Sequence, residues 1–254
     1  MKLLALDTAT EAMAVGLADG DARRAVNADG GPLTSERLVP VALELLAERG
    51  LAPADLDAVA FGQGPGAFTG LRTAVAVAQG LAFGIGCPVV PVDSLLIVAE
   101  DARAQALGAE ASDALAPPVF DTWVAMDARM DEAYVAHYRH DGRAWAVLRP
   151  PALVDLPTLA AWWQLAPPAQ VAGSGVEAFA DRLPFGAARR WPRAADRAGA
   201  LLRLALAAAS AGRRCAARDA RRVSGRDWVA LPRAARAAAR AAAAAPAPAP
   251  GSGR

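Results

Sequence analysis

An α/β protein with two lobes of related fold is what this sequence predicts, on three observations. Short apolar strands alternate with helical stretches over residues 1–100, in the order hairpin, helix, strand, helix, strand expected of a mixed sheet with helices on its faces. Landmarks of that segment recur about 110 to 120 residues later, as an internal duplication would produce. At 254 residues, 54% of them hydrophobic, the chain is also long enough for two cores.

The elements follow in order. Residues 2–8 form an apolar run that ends in an Asp-Thr turn, and residues 13–18 resume as a second strand. Over residues 34–49, Leu38, Val41, Leu45 and Leu46 recur at helical spacing, with Thr34 as an N-cap and Gly50 just past the end. Residues 57–61 read as a buried strand entering the glycine cluster Gly62, Gly64 and Gly66; a helix over 69–83 and a strand over 88–92 follow. The duplication shows when Leu4-Ala5-Leu6-Asp7-Thr8-Ala9-Thr10 is set beside Val124-Ala125-Met126-Asp127-Ala128-Arg129-Met130. It shows again in Val59-Ala60-Phe61-Gly62-Gln63-Gly64 beside Val171-Ala172-Gly173-Ser174-Gly175. A helix is expected over 195–211. From about residue 233 the chain is low in complexity, so disorder is expected near its end. The expected organisation is therefore a first lobe over 1–104, a second over 105–215 and a basic segment over 216–254.

Charge is distributed unevenly. Residues 189–254 hold fifteen Arg and three Asp, an excess of twelve positive charges, which leaves residues 1–188 with an excess of eleven negative ones. Such a tail can meet RNA phosphates or an acidic partner, or simply be solvated. Cys87 and Cys215 lie far apart in sequence and in no metal spacing, as expected of buried thiols in a reducing compartment. Gln79, Gly80, Gly84, Gly86 and Pro88 interrupt the longest apolar stretch, and the opening residues lack the pattern of an export signal. No membrane span and a cytoplasmic location are expected. All six Trp fall at or after Trp123, and packing explains them better than a base-stacking platform.

The stretch Gly62-Gln63-Gly64-Pro65-Gly66-Ala67-Phe68-Thr69-Gly70-Leu71-Arg72 carries the most information. Its glycines permit positive φ and close backbone approach, Thr69 can cap the following helix, and amides at that helix start can hold an anion. It is neither a Walker loop, for want of Gly-Lys-Ser/Thr, nor a dinucleotide fingerprint, since Ala67 stands at the third glycine position and Pro65 intrudes. The helix after it is apolar nearly all round, with Arg72, Thr73 and Gln79 its polar side chains. Gly70, Ala74 and Ala78, four residues apart, would let another helix approach closely. A partner contact is thus expected over Leu38, Val41 and Leu45 of one helix and Thr69, Gly70, Arg72, Ala74, Val77, Ala78 and Leu81 of the next, the alternative being that this helix is wholly buried inside its own lobe.

As a string, Gly64-Pro65-Gly66-Ala67-Phe68-Thr69-Gly70-Leu71-Arg72 closely resembles the hallmark of the TsaB family, also called YeaZ and glycoprotease-like. Leu4-Ala5-Leu6-Asp7-Thr8-Ala9-Thr10 and Ser35-Glu36-Arg37-Leu38-Val39-Pro40 resemble it too, so the likeness covers residues 1–100 well. Later in the chain it thins to Arg226-Asp227-Trp228-Val229-Ala230, and Thr34 stands where the family often has His. The resemblance implies a duplicated actin-like ATPase (ribonuclease H-like) fold that has lost independent catalysis. It further implies a TsaD-type catalytic partner, a TsaE-type ATPase, indirect contact with tRNA, and a homodimer as one form of the free chain.

The rival readings are a stand-alone actin-like ATPase or kinase and a metallopeptidase. For the first, Asp7, Thr8, Gly62, Gly64, Gly66 and Asp127 are the candidate ATP/ADP and magnesium residues, although an Asp ending a strand is also a common turn former. No cofactor is required by the partner-subunit reading. The metallopeptidase needs three or four metal ligands, and His137 and His140 are the only histidines, so no metal is expected.

Overall fold

The computed structural model describes residues 1–29, 34–109 and 119–222. The expected disorder near the chain end, and the family-like segment at 226–230, lie outside the described residues. Two compact units emerge, one from residues 1–109 and 194–222, the other from 119–193.

In the first unit, β1 (Lys2–Asp7), β2 (Ala12–Asp19), β3 (Ala22–Asp29), β4 (Ala58–Gly64) and β5 (Val89–Asp93) form one sheet in the order β3-β2-β1-β4-β5. The hairpins are antiparallel, whereas β1/β4 and β4/β5 run parallel. β1 is apolar and buried along nearly its whole length, as a central strand covered on both faces must be. On one face Leu4, Leu6, Val15, Val59 and Phe61 pack with α1 (Thr34–Glu48) and α2 (Phe68–Ile85). On the other, α3 (Ser94–Ala109) and a later helix, α6 (Arg197–Ser210), lie against the strands. At Gly16 α6 comes close to the sheet: a Cβ there would stand 3.2 Å from Leu202 Cβ.

In the second unit, β6 (Phe120–Asp127), β7 (Glu132–His140), β8 (Trp145–Asp155), β9 (Gln170–Ala172) and β10 (Arg189–Trp191) repeat the plan in the order β10-β9-β6-β7-β8. Read from β8, this is the order of the first sheet, with the same two antiparallel and two parallel pairings. The predicted duplication is therefore present strand for strand. Its core joins Trp123, Ala125, Val135 and Phe185 to Leu159 and Trp163 of α4 (Leu156–Leu165), whose N-cap Asp155 accepts from Thr158 N at 2.9 Å. A short helix, α5 (Gly175–Ala178), follows β9. Trp163 and Trp123 pack as expected: Trp163 is 1% exposed, and Trp123 stacks on His137 at 4.6 Å between centroids, while Trp228 lies outside the described residues.

Three expectations change. The sequence assigns residues 105–215 to the second lobe, but the chain re-enters the first at 194 and places α6 on its sheet. Asp101 directs this return, accepting from Ala195 N at 3.0 Å and Asp196 N at 2.6 Å. The expected cap Thr69 lies inside the first turn of α2; the N-cap is Ala67, with no side-chain bond. Residues 215–220, expected partly in a separate basic segment, pack on the first lobe instead: Ala217 and Ala220 join its core. By length and composition α2 could cross a membrane, yet Leu71, Ala74, Val75, Ala78 and Ala82 are buried in this core.

The α3/α6 contact is expected to weaken in acid. Burial opposes the charge of Glu100, but Arg103 and Arg203 outweigh it and hold the carboxyl below the usual range. A lowered carboxylate pKa contributes stability that is complete above the unfolded pKa and lost as pH falls through the folded one. The stability gap between the parent and Glu100→Gln is thus expected to be largest near pH 7, shrinking below about pH 4 in urea denaturation. A gap independent of pH would show that the ion pairs do not form.

Candidate functional site

The site is built where β4 runs into α2. Gly64 takes a φ of 101°, open chiefly to glycine, and its N–H donates to Ser94 Oγ at 3.0 Å. Gly62, Gly66 and Gly70 all face the turn after β1. A Cβ at Gly62 would stand 1.9 Å from Asp7 Oδ1, at Gly66 2.3 Å from Ala9 O, and at Gly70 1.8 Å from Thr8 O. Ala67 N donates to Ala9 O at 2.8 Å, and Thr8 Oγ1 donates to Gly70 O at 2.6 Å. The glycine spacing is thus explained by the chain's own β1 turn, which docks flat on the loop.

Asp7 is completely buried, and Arg197 of α6 donates to its Oδ2 through Nε at 2.8 Å and also through Nη2. Ser94 Oγ and Ala9 N donate to Oδ1 at 3.3 and 3.2 Å. Of the candidate nucleotide residues, Asp7, Thr8, Gly62, Gly64 and Gly66 do come together, but onto one another. A carboxylate that accepts from a buried guanidinium, a hydroxyl and an amide has no oxygen facing solvent for a hydrated magnesium ion. Sequence reasoning missed Arg197, and no local signal could have found it in an Ala/Arg-rich stretch.

Asp127, the repeat counterpart of Asp7 in the second unit, behaves differently. It accepts from Arg129 N at 2.8 Å in a turn whose Arg129, Met130 and Asp131 all have positive φ, and its N–H donates to Ser174 Oγ at 3.1 Å. The glycine packing itself is duplicated. A Cβ at Gly173 would stand 2.5 Å from Ala125 O. His137 bonds Asp121 at 2.6 Å; burial opposes that carboxylate's charge, but His137 and Arg139 hold its pKa below the usual range. His140 Nδ1 accepts from Gly142 N at 3.0 Å. Among the described residues no three His, Cys, Asp or Glu are grouped to hold a metal.

The expected partner residues divide sharply. Ala74 and Ala78 have no exposure, and Leu38 and Leu45 have almost none; all four face their own lobe. Val41, Val77 and Leu81 are half-buried against the same core, and Gly70 faces Thr8. The small-residue row Gly70, Ala74, Ala78 therefore lets α2 approach its own sheet and turn, a correction to its reading as a partner contact. Thr69 and Arg72 are exposed, and they begin a different row: Arg72, Ala76, Gly80, Phe83 and Gly84 open to solvent. Phe83 is 80% exposed, and among the described residues nothing lies within 4 Å of where a Cβ would stand on Gly80 or Gly84.

Comparison with known proteins agrees with this architecture. Residues 33–173 match the family model described as "TsaD: tRNA N6-adenosine threonylcarbamoyltransferase". Two curated relatives carry the name tRNA threonylcarbamoyladenosine biosynthesis protein TsaB. The one from Haemophilus influenzae is 40% identical over 134 residues, 53% of this chain and 52% of its own length. The one from Escherichia coli is 39% identical over 145 residues, 56% of each chain. The chain thus spans about half the length of the curated relatives it matches. Among solved structures, YeaZ from Pseudomonas aeruginosa matches with a TM-score of 0.73 at 33% identity, over 87% of this chain and 98% of that one. A second, an uncharacterized protein with similarity to peptidase YEAZ from Pseudomonas aeruginosa, matches with a TM-score of 0.75 at 34% identity over the same shares. With the duplicated sheet, the glycine loop docked on the β1 turn and a structural likeness spanning nearly the whole of YeaZ, the chain belongs to the TsaB (YeaZ) family.

Proposed function

We propose that this chain is a non-catalytic partner subunit of the cytoplasmic machinery that forms threonylcarbamoyladenosine on tRNA, and that it docks on a TsaD-type catalytic subunit through the open face of α2. The observation that carries the reading is the division of labour at the glycine loop: Asp7 is spent on Arg197 inside the lobe, while α2 leaves Ala76, Gly80, Phe83 and Gly84 uncovered. A face of small residues ending in one exposed aromatic suits close helix packing with an anchor. Family membership supplies the pathway, and the match to the TsaD model supports a related fold in the partner. A TsaE-type ATPase completes the assembly under this reading. ATP turnover then belongs to the other subunits.

The test is binding of the TsaD-type subunit by calorimetry. Ala76→Arg is expected to keep the parent melting temperature, Gly80→Arg to match or exceed it, and both to weaken binding by about 100-fold or more, because an unpaired charge would be enclosed in the contact. Ala74→Arg, placed in the core, is expected to unfold the lobe. Parent-like binding by both surface variants would place the partner elsewhere. Saturable, magnesium-dependent ATP hydrolysis by the purified chain alone would overturn the non-catalytic part.

A further inference from the structure

After α6 the described chain, through Arg222, stays on the first lobe. Cys215 forms an antiparallel bridge with Val89, both N–H···O contacts at 2.9 Å. Ala217 and Ala220 are buried, and the Gln79 side-chain amide of α2 donates to their carbonyls at 3.1 and 3.3 Å. These anchors hold residues 213–222 as a strap beside α2. The strap carries Arg213, Arg214, Arg218, Arg221 and Arg222 against a single acid, Asp219, an excess of four positive charges. Ala217 and Ala220 face in, while Ala216, Arg213, Arg214, Arg218 and Arg221 are exposed.

Little neutralises this ridge. Asp219 comes no nearer than 4.0 Å to Arg218, and Arg213 and Arg221 have no acidic partner among the described residues. Arg222 lies over the Phe68 ring, 4.7 Å from its centroid, and its buried Nη1 has no hydrogen-bond partner among the described residues. Arg72 lies on the same ring at 3.8 Å, so two like charges share one aromatic at a helix start with no acidic residue in its first turn. Holding cations together on a fixed backbone costs electrostatic energy that a polyanion would return.

We propose that the strap is a contact for an RNA phosphate backbone. Arginines displayed at intervals from an anchored chain meet successive phosphates without the ordering cost of a free tail, and they need no base contacts. The choice of RNA rests on the proposed function, which makes tRNA the polyanion this subunit works beside. An acidic protein surface is the competing occupant.

The full-length chain, alone and assembled with the TsaD-type subunit, is titrated with an unmodified tRNA transcript over a salt series. The parent is compared with the triple variant Arg213→Ser, Arg218→Ser, Arg221→Ser. All three positions are exposed, so an unchanged melting temperature is expected. The inference predicts that the variant loses about tenfold in tRNA affinity. It also predicts that the slope of log affinity against log salt falls by roughly one unit per arginine removed. A change of less than about twofold, with the slope unaltered in both forms, overturns it. Loss of TsaD binding with tRNA affinity intact overturns it in favour of an acidic protein contact. If the parent does not bind the TsaD-type subunit, the proposed function fails, and the titration of the chain alone still decides the strap.

Discussion

Replacing Arg197 with alanine is expected to cost about 3–5 kcal/mol of stability, because it strands a buried carboxylate. Asp7 has no exposure, and its remaining donors would be Ser94 Oγ and Ala9 N, both beyond 3 Å. Asp7→Ala should be about as harmful, since it leaves a guanidinium only 3% exposed without its counter-ion. The double variant Asp7→Leu, Arg197→Met removes both charges at roughly constant volume and is expected to regain much of the loss. Urea denaturation of the four proteins measures this directly. Single substitutions costing under about 1 kcal/mol would mean that solvent reaches the pair, and the account of Asp7 as an internal anchor would fall with them.

The second large effect comes from adding one carbon to the glycine loop. In Gly70→Ala the new methyl would meet the Thr8 carbonyl oxygen at 1.8 Å, a backbone atom held in the β1 turn. The first turn of α2 would have to lift, costing about 3 kcal/mol or more. Gly62→Ala meets Asp7 Oδ1 at 1.9 Å, where the carboxylate cannot move without leaving Arg197, so a similar loss is expected. Gly80→Ala on the same helix has the opposite sign. Nothing lies within 4 Å of its Cβ position, and alanine in an exposed helix interior should add about 0.5–1 kcal/mol. Melting curves of the three variants separate the readings: if Gly70→Ala melted like the parent, the loop would not be docked on the turn.

Much of the first lobe was legible because its signals are local. The apolar run of β1 and the helical spacing of Leu38, Leu45 and Leu46 reflect neighbours in sequence, and both elements formed within a residue of expectation, whereas β4 runs three residues further than expected and takes in Gly62 and Gly64. Gly50 ends its helix in the left-handed conformation, as a glycine in that place should. The duplication was legible for a related reason: both copies keep the strand, turn and glycine pattern that the same topology requires.

Which side of α2 faces inward was not legible. Its residues are small or apolar almost all round, so periodicity could not choose between the row Gly70, Ala74, Ala78 and the row Arg72, Ala76, Gly80. The sheet chose, by needing the first row to bring the helix onto β4 and the Thr8 carbonyl. Long-range closure was hidden in the same way. Nothing near Asp7 announces a partner 190 residues later, and nothing in the Ala/Arg-rich stretch distinguishes Arg197 from its neighbours. Near-neighbour pattern was enough for β1, β2, α1, β4, α2 and β5, the duplication, the glycine loop and the family, whereas β3 and α3 were not foreseen. The return of α6 to the first lobe, the role of Asp7 as an anchor and the strap at residues 213–222 emerged from the fold, because each depends on contacts between segments that packing alone brings together.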